Sequence, residues 1–181
     1  GGLFRGSYVC ACPDWENARG EHLLALVDHS MLPRILTRLL DETQFLSPYG
    51  IRGVSKLHAT RTDLGYLPGI GHATIEYVPG ESNSGLFGGN SNWRGPVWFP
   101  MNYLLLRGLL AYDLYYGDAL MVEVPSGSGN EMCLHDAALE VGRRLISVFL
   151  RDAEGRRPVF GGTERFQADP EVTTLEVSPD G

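Results

Sequence analysis

The chain is 181 residues long, has a mass of 19.9 kDa, and is 43% hydrophobic. This size is usual for a single domain with a sizeable core, so the composition excludes a disordered chain. The formal net charge of -7 argues against nucleic acid as a partner, because nucleic-acid binding depends on clustered Lys and Arg side chains that neutralise phosphates. A neutral partner such as a carbohydrate fits this charge better.

The cysteines and the hydropathy pattern bear on the compartment. Cys10, Cys12 and Cys133 cannot all pair with one another, and their sparse placement is not a disulfide framework. No stretch approaches the ~20 consecutive apolar residues of a membrane span, and no basic region followed by an apolar run opens the sequence. We therefore expect a cytoplasmic protein in a reducing compartment, with no membrane partner.

The N-terminal part of the chain contains one periodic segment. Residues 1–20 show little periodicity and predict an irregular N-terminal segment. From residue 22 to residue 45, apolar side chains recur mostly at three- and four-residue steps, which is typical of an amphipathic helix. Proline is tolerated in the first turn of a helix, so Pro33 predicts a break near Asp28 and then a helix to about Glu42.

Residues 46–101 form a long stretch rich in Gly, Pro, Ser and Asn. Only a short run from His72 to Val78 has β character. Structureless stretches of this length are rare unless they are functional. We therefore look for the site in this stretch.

Two further helices are predicted in the C-terminal half. Residues 102–116 carry apolar side chains at helical spacing, and Gly117 is placed to end that helix. After the turn at 125–129, Asn130 is a candidate N-cap for a third helix to about Leu150. Helices joined by loops, with no alternating strands that would indicate a parallel sheet, predict an all-α domain. Composition alone does not choose between a toroid of helical hairpins and a bundle.

The segment from Glu81 to Trp98 contains the candidate binding residues. Sugar rings present apolar C–H faces edged by hydroxyl groups, so a sugar site needs flat aromatic surfaces and rigid hydrogen-bonding groups. Asn92, Trp93, Arg94 and Trp98 supply both. Trp93 stands between polar residues and favours an exposed platform, whereas for Trp98 a position in the core is the alternative. Glu81 is a further candidate, to bind a sugar hydroxyl or to orient Arg94, and its alternative is a solvated loop carboxylate.

Four segments of the sequence resemble glycoside hydrolase family 63. They are 42–55 (ETQFLSPYGIRGVS), 79–103 (PGESNSGLFGGNSNWRGPVWFPMNY), 115–118 (YYGD) and 156–170 (RRPVFGGTERFQADP). This family includes processing glucosidases that trim N-glycan precursors and prokaryotic relatives such as mannosylglycerate hydrolases, and the chain looks closer to the prokaryotic branch. The resemblance implies part of an (α/α)6 toroid whose long loops line a sugar pocket, with Trp93 at the substrate subsite.

The resemblance also implies that the catalytic pair lies elsewhere. Inverting enzymes of this kind use an acid that protonates the leaving oxygen and a carboxylate that activates water, ~6.5–9.5 Å apart. In similar sequences the acid lies upstream of anything seen here, and the base follows the stretch that matches residues 166–170. Residues 21–170 would then be a partial glycosidase domain, with the rest of the toroid missing, and residues 171–181 a divergent tail. No catalytic residue is assigned.

No metal or cofactor is expected. The five histidines show no His-Glu-x-x-His spacing and no neighbouring Cys-x-x-Cys, and no Gly-x-Ser-x-Gly or phosphate-binding glycine loop occurs. The leading hypothesis is therefore an inverting, α-glucosidase-like segment that supplies part of a sugar pocket in oligosaccharide metabolism. The alternatives are a non-catalytic or degenerate carbohydrate-binding protein, and a helical interaction module whose tryptophans belong to the core.

Overall fold

A computed structural model describes residues 10–11, 17, 19–21, 23–60, 62–69, 71–77, 97–161 and 163–169. Four α-helices lie within these ranges: α1 (Leu32–Leu39), α2 (Phe99–Tyr116), α3 (Leu134–Ser147) and α4 (Glu164–Ala168). Eight short strands accompany them: β1 (Cys10–Ala11), β2 (Leu24–Ala25), β3 (Leu46–Ser47), β4 (Gly50–Ile51), β5 (Thr62–Leu67), β6 (Gly71–Ile75), β7 (Met121–Glu123) and β8 (Glu131–Cys133). The strands pair as four antiparallel two-stranded sheets, β1 with β2, β3 with β4, β5 with β6, and β7 with β8.

The predicted all-α fold, part of an (α/α)6 toroid, is therefore wrong. The described residues combine helices with antiparallel hairpins. Most of the strands are two or three residues long, which is too short to show the alternation by which a strand is recognised in a sequence. The longest pair, β5 with β6, has a register shift between Asp63 and Gly65 that interrupts its alternation. Within the described part of the predicted loop at 46–101, two hairpins are therefore present, β3–β4 and β5–β6.

A break near Asp28 precedes α1 as predicted, but no side chain caps the helix: its N-cap is Met31, and Asp28 closes the turn before it. The Asp28 carboxylate accepts hydrogen bonds from the backbone N–H groups of Ser30 (2.9 Å) and Met31 (2.8 Å) and from the Ser30 hydroxyl (2.7 Å). The hydroxyl of Ser30, followed by the backbone N–H of Met31, lowers the pKa of Asp28. Pro33 lies in the first turn, where no backbone donor is needed. The helix ends at Leu39, a little before the predicted end near Glu42.

Helices α2 and α3 pack against each other and form most of the core. α2 ends at Gly117, whose φ of +49° suits glycine, as predicted. The prediction of Asn130 as the N-cap of the third helix is wrong, because β8 intervenes and α3 begins only at Leu134. The Asn130 side chain instead donates to the Val124 carbonyl (3.2 Å) in the β7–β8 connection. The largest fully buried apolar side chains are Leu40, Leu46, Val124, Leu134 and Val141.

The hairpin β3–β4 lies directly on α3. Gly50 has a φ of +115°, and a Cβ at this position would stand 2.6 Å from Cδ2 of Leu145. Arg144 of α3 donates to the Ser47 carbonyl (3.1 Å) and to the carboxylates of Glu42 (2.8 Å) and Glu140 (2.9 Å). Burial opposes the charge of Arg144, but the bonds to these two carboxylates outweigh burial and raise its pKa. The close approach at Gly50 and the bond from Arg144 to the Ser47 carbonyl therefore fix this hairpin to α3.

Within the described ranges, none of the helices combines the length and the apolar character needed to cross a membrane.

Candidate functional site

Of the predicted sugar-binding residues, the structure describes Trp98. It is half-buried and has an extended backbone (φ -110°, ψ 111°) directly before the first residue of α2. Glu81, Asn92, Trp93 and Arg94 lie outside the described residues. The described part of the candidate site therefore consists of Trp98 and the elements that hold it.

Asn102 fixes the backbone of Trp98 to the hairpin β3–β4. Its side chain is 1% exposed. The Asn102 amide oxygen accepts from the Ile51 N–H (2.7 Å), and its NH2 group donates to the carbonyls of Ile51 (2.9 Å) and Trp98 (3.0 Å). The Asn102 N–H also donates to the Trp98 carbonyl (3.0 Å). A side-chain amide that replaces a backbone pairing in this way holds two elements in one geometry.

Arg52 follows β4 and extends this support to Val97. Its backbone forms an isolated antiparallel bridge with Val97, and its N–H donates to the Phe45 carbonyl (2.8 Å). On the other side, the Arg52 guanidinium carbon lies 5.8 Å from the ring centroid of Tyr77, within the range of a cation–π contact. One residue thus contacts Tyr77 and Val97, the described residues that border positions 78–96.

The Arg52 side chain is buried, with 9% of its surface exposed. Its Nη1 donates to the carbonyls of Glu42 (3.3 Å), Gln44 (3.3 Å) and Leu46. Its Nε is buried and has no hydrogen-bond partner among the described residues. Burying a guanidinium is costly unless it is paired. Among the described residues, the contacts of this one are the carbonyl oxygens and the aromatic ring of Tyr77.

A cavity of about 230 Å³ opens between these elements. The side chains around it are mostly apolar, with one indole, one amide and one guanidinium. They are Leu39, Phe45, Ile51, Arg52, Gly53, Trp98, Met101, Asn102 and Leu105. An aromatic surface beside fixed polar groups is the arrangement that binds a sugar ring. Among the described lining residues there is no carboxylate that could act as a general acid or a general base.

A larger depression of about 580 Å³ lies on α1. Its lining combines two arginines with aliphatic and polar side chains and contains no aromatic ring among the described residues. The lining residues are Met31, Arg34, Ile35, Thr37, Arg38 and Gln44. Without a flat apolar surface it fits a sugar ring less well than the cavity at Trp98.

Sequence reasoning missed Asn102 and Arg52. Asn102 had a weak signal, because it lies at helical spacing with Leu109 and Tyr116 on one face of α2. Arg52 had no such signal, since its pairing with Val97 joins residues distant in the sequence. In the described part of the chain, no group of three or more His, Cys, Asp or Glu side chains could hold a metal ion.

Comparison with known proteins finds a yeast relative. Over 150 residues the chain is 47% identical to the uncharacterized protein YMR196W of Saccharomyces cerevisiae. The aligned part is 82% of this chain but 14% of the yeast protein, so the chain spans about a seventh of that relative's length. No family model matches the sequence, and no solved structure matches it. The description of the yeast protein names no activity that could be carried over to this chain.

Proposed function

We propose that this chain contributes the sugar-binding surface of an inverting, α-glucosidase-like glycoside hydrolase similar to family 63, acting in oligosaccharide metabolism. The proposed binding residues are Trp98 with Glu81, Asn92, Trp93 and Arg94. The observation that supports this proposal is the setting of Trp98, whose indole borders a cavity while its backbone is fixed by a buried amide.

Rigid support matters for sugar binding because a sugar offers few strong contacts. A loosely held tryptophan would lose conformational entropy on binding, whereas a pre-organised one does not. Asn102 and Arg52 hold the backbone at Trp98 and Val97 before any ligand arrives. The half-buried state of Trp98 leaves part of the side chain accessible. Both features suit a platform against which the apolar face of a sugar packs.

Hydrolysis would need two carboxyl groups in addition to this surface. In an inverting mechanism they stand ~6.5–9.5 Å apart, so that one protonates the leaving oxygen while the other activates water. The described cavity lining contains no carboxylate. The acid and the base are therefore proposed to come from parts of the polypeptide outside the residues described here.

The described cavity lining, which contains no carboxylate, also favours a second candidate, a non-catalytic or degenerate carbohydrate-binding protein. Such a protein would keep the tryptophan surface without the catalytic pair. The two candidates differ in turnover: both bind a sugar, but only the hydrolase releases a monosaccharide with inverted anomeric configuration. Incubation of the complete gene product with an α-linked glucose disaccharide, followed by NMR of the product anomers, separates them.

Binding is tested with the 181-residue chain by calorimetric titration. The probes are methyl α-D-glucopyranoside, an α-linked glucose disaccharide and mannosylglycerate. Trp98→Ala and Trp93→Ala are expected to weaken binding about tenfold to a hundredfold, as stacking contacts of about 1.5–3 kcal/mol are lost. Trp98→Phe should retain part of the affinity, because it keeps an aromatic ring.

The control for these variants is Tyr66→Ala, which removes an aromatic ring from the exposed surface of β5. It is expected to leave sugar affinity unchanged. If Trp98→Ala and Trp93→Ala lower the melting temperature but bind each probe as the parent chain does, the tryptophans are core residues and the sugar proposal is wrong. The same conclusion follows if the parent chain binds none of the probes.

We further propose a cytoplasmic location and a carbohydrate partner. The sparse cysteines support the location, and Cys133 is a free thiol in the described structure. The net charge of -7 supports an uncharged partner over nucleic acid.

A further inference from the structure

The helix α2 carries apolar side chains on every side. Among its 18 residues, FPMNYLLLRGLLAYDLYY, the residues with an amide or a charge are Asn102, Arg107 and Asp113. By contrast, α3 is amphipathic and turns His135, Asp136 and Arg143 outward. A helix that is hydrophobic all round is normally buried on all sides, whereas an amphipathic helix covers a core with one face. The sequence of α2 is therefore that of an interior helix.

In the described structure only one side of α2 is covered. Asn102, Leu109 and Tyr116 lie on the side that packs into the core. The opposite side presents Tyr103 (61% exposed), Leu104 (60%), Arg107, Ala111 and Leu114 (74%) at helical spacing. We call these five residues the outer face of α2. Contiguous apolar surfaces of this kind mark an interaction site.

Gly108 of α2 lies beside this outer face and is a second feature that bears on its role. Glycine in a helix interior is less stable than alanine. A Cβ at Gly108 would meet no described heavy atom within 4 Å, so nothing in the described structure requires the glycine. Together with the small side chain of Ala111, it leaves a shallow notch next to Leu104, which suits the close approach of another helix.

We propose that the outer face of α2 docks against a helix from another part of the same polypeptide. The length of the yeast relative supports this occupant, because the aligned region is only 14% of that protein and leaves a large remainder. The chemistry of the face describes the partner: apolar side chains opposite Leu104 and Leu114, a bulky one over Gly108, and a carboxylate opposite Arg107. Arg107 has no ion pair within the described part of the chain.

Cysteine labelling of the complete gene product tests this proposal. Leu104→Cys and Leu114→Cys place thiols on the outer face of α2, and Leu139→Cys places one on the exposed surface of α3 as a matched control. Site-specific maleimide modification is followed by mass spectrometry. The two α2 thiols are expected to react at least about tenfold more slowly than the control, because a docked face must open before it reacts. In the 181-residue chain all three are expected to react at similar rates.

The substitution Gly108→Ala gives an independent measurement. It is expected to raise the melting temperature of the 181-residue chain, since alanine favours the helix and the space is open. It should lower the melting temperature of the complete gene product, where the new methyl group fills the notch.

Three results would overturn the proposal. The first is equal labelling of the three thiols in the complete product, and the second is a reading frame that consists of these 181 residues alone. The third is protection of Leu104→Cys in the 181-residue chain that increases with concentration, which would assign the face to a second copy. A Gly108→Ala variant that stabilises both proteins would exclude close helix packing at the notch.

Discussion

The hairpins β3–β4 and β5–β6 follow each other in the chain but are stabilised in different ways. β3 and β4 have two residues each, and all four of these residues are buried. β5 and β6 have six and five residues, yet Ala73 is the one buried residue of the two strands, and Tyr66 is 69% exposed. The short hairpin depends on contacts with α2 and α3, whereas the long one depends on its own backbone ladder. Length of pairing is therefore a poor guide to which hairpin supports Trp98.

The largest effect is expected at Gly50. Gly50→Ala places a Cβ in a left-handed conformation and 2.6 Å from Leu145, so the free energy of unfolding should fall by about 3–4 kcal/mol. Gly69→Ala in the β5–β6 turn is the control, since φ there is +81° but no described atom lies within 4 Å. It should cost about 1–2 kcal/mol. Urea denaturation measures both, and equal losses would show that β3–β4 does not pack closely on α3.

The next effect is expected at Asn102. Asn102→Ala removes the two bonds to Ile51 and leaves the buried N–H of Ile51 without a partner. The free energy of unfolding should fall by about 2–3 kcal/mol. Asn130→Ala is the matched control, because the Asn130 side chain donates a single bond to Val124 from an exposed position. Chemical denaturation of both variants tests whether the amide supports the hairpin. A loss at Asn102 no larger than at Asn130 would contradict that role.

A smaller, pH-dependent effect is expected at Asp41, in the turn between α1 and β3. The hydroxyl of Thr43, then the side chain of Gln44, hold the pKa of Asp41 below its ordinary value of 3.8. As the pH falls, the unfolded chain binds this proton first, so the stabilisation is complete above the ordinary pKa and is lost below it. Asp41→Asn should therefore flatten the melting temperature against pH between about pH 5 and pH 2. Parallel profiles for variant and parent would refute this contribution.

The smallest effect is expected on β5. Tyr66→Ala removes an exposed ring that contacts the ring of His72, at a centroid distance of 6.0 Å. The free energy of unfolding should change by no more than about 0.5 kcal/mol, as for other surface substitutions. Thermal melting measures the change. A loss of several degrees would mean that β5–β6 is packed against other parts of the protein, and the contrast between the two hairpins would fail.

Part of the candidate site could be predicted from the sequence. The sequence predicts Trp98 as a candidate because aromatic and amide side chains gather near it, and the structure places it beside a cavity. Its supports could not be predicted in the same way. Asn102 bonds to Ile51 across 51 positions, and Arg52 pairs with Val97. Periodicity predicts which face of a helix or strand is buried. It does not predict which distant backbone group that face will contact.

The sequence by itself determined the features that depend on near neighbours. Asp28 marks the break before α1, Pro33 its first turn, and Gly117 the end of α2. Apolar residues at three- and four-residue steps predict both helices. These signals act over only a few residues. Tertiary structure decided the mixed fold. Strands of two residues such as β3 and β4 are stable only where α2 and α3 bond their backbone groups and bury their side chains. A backbone pairing this short contributes too little free energy to order itself.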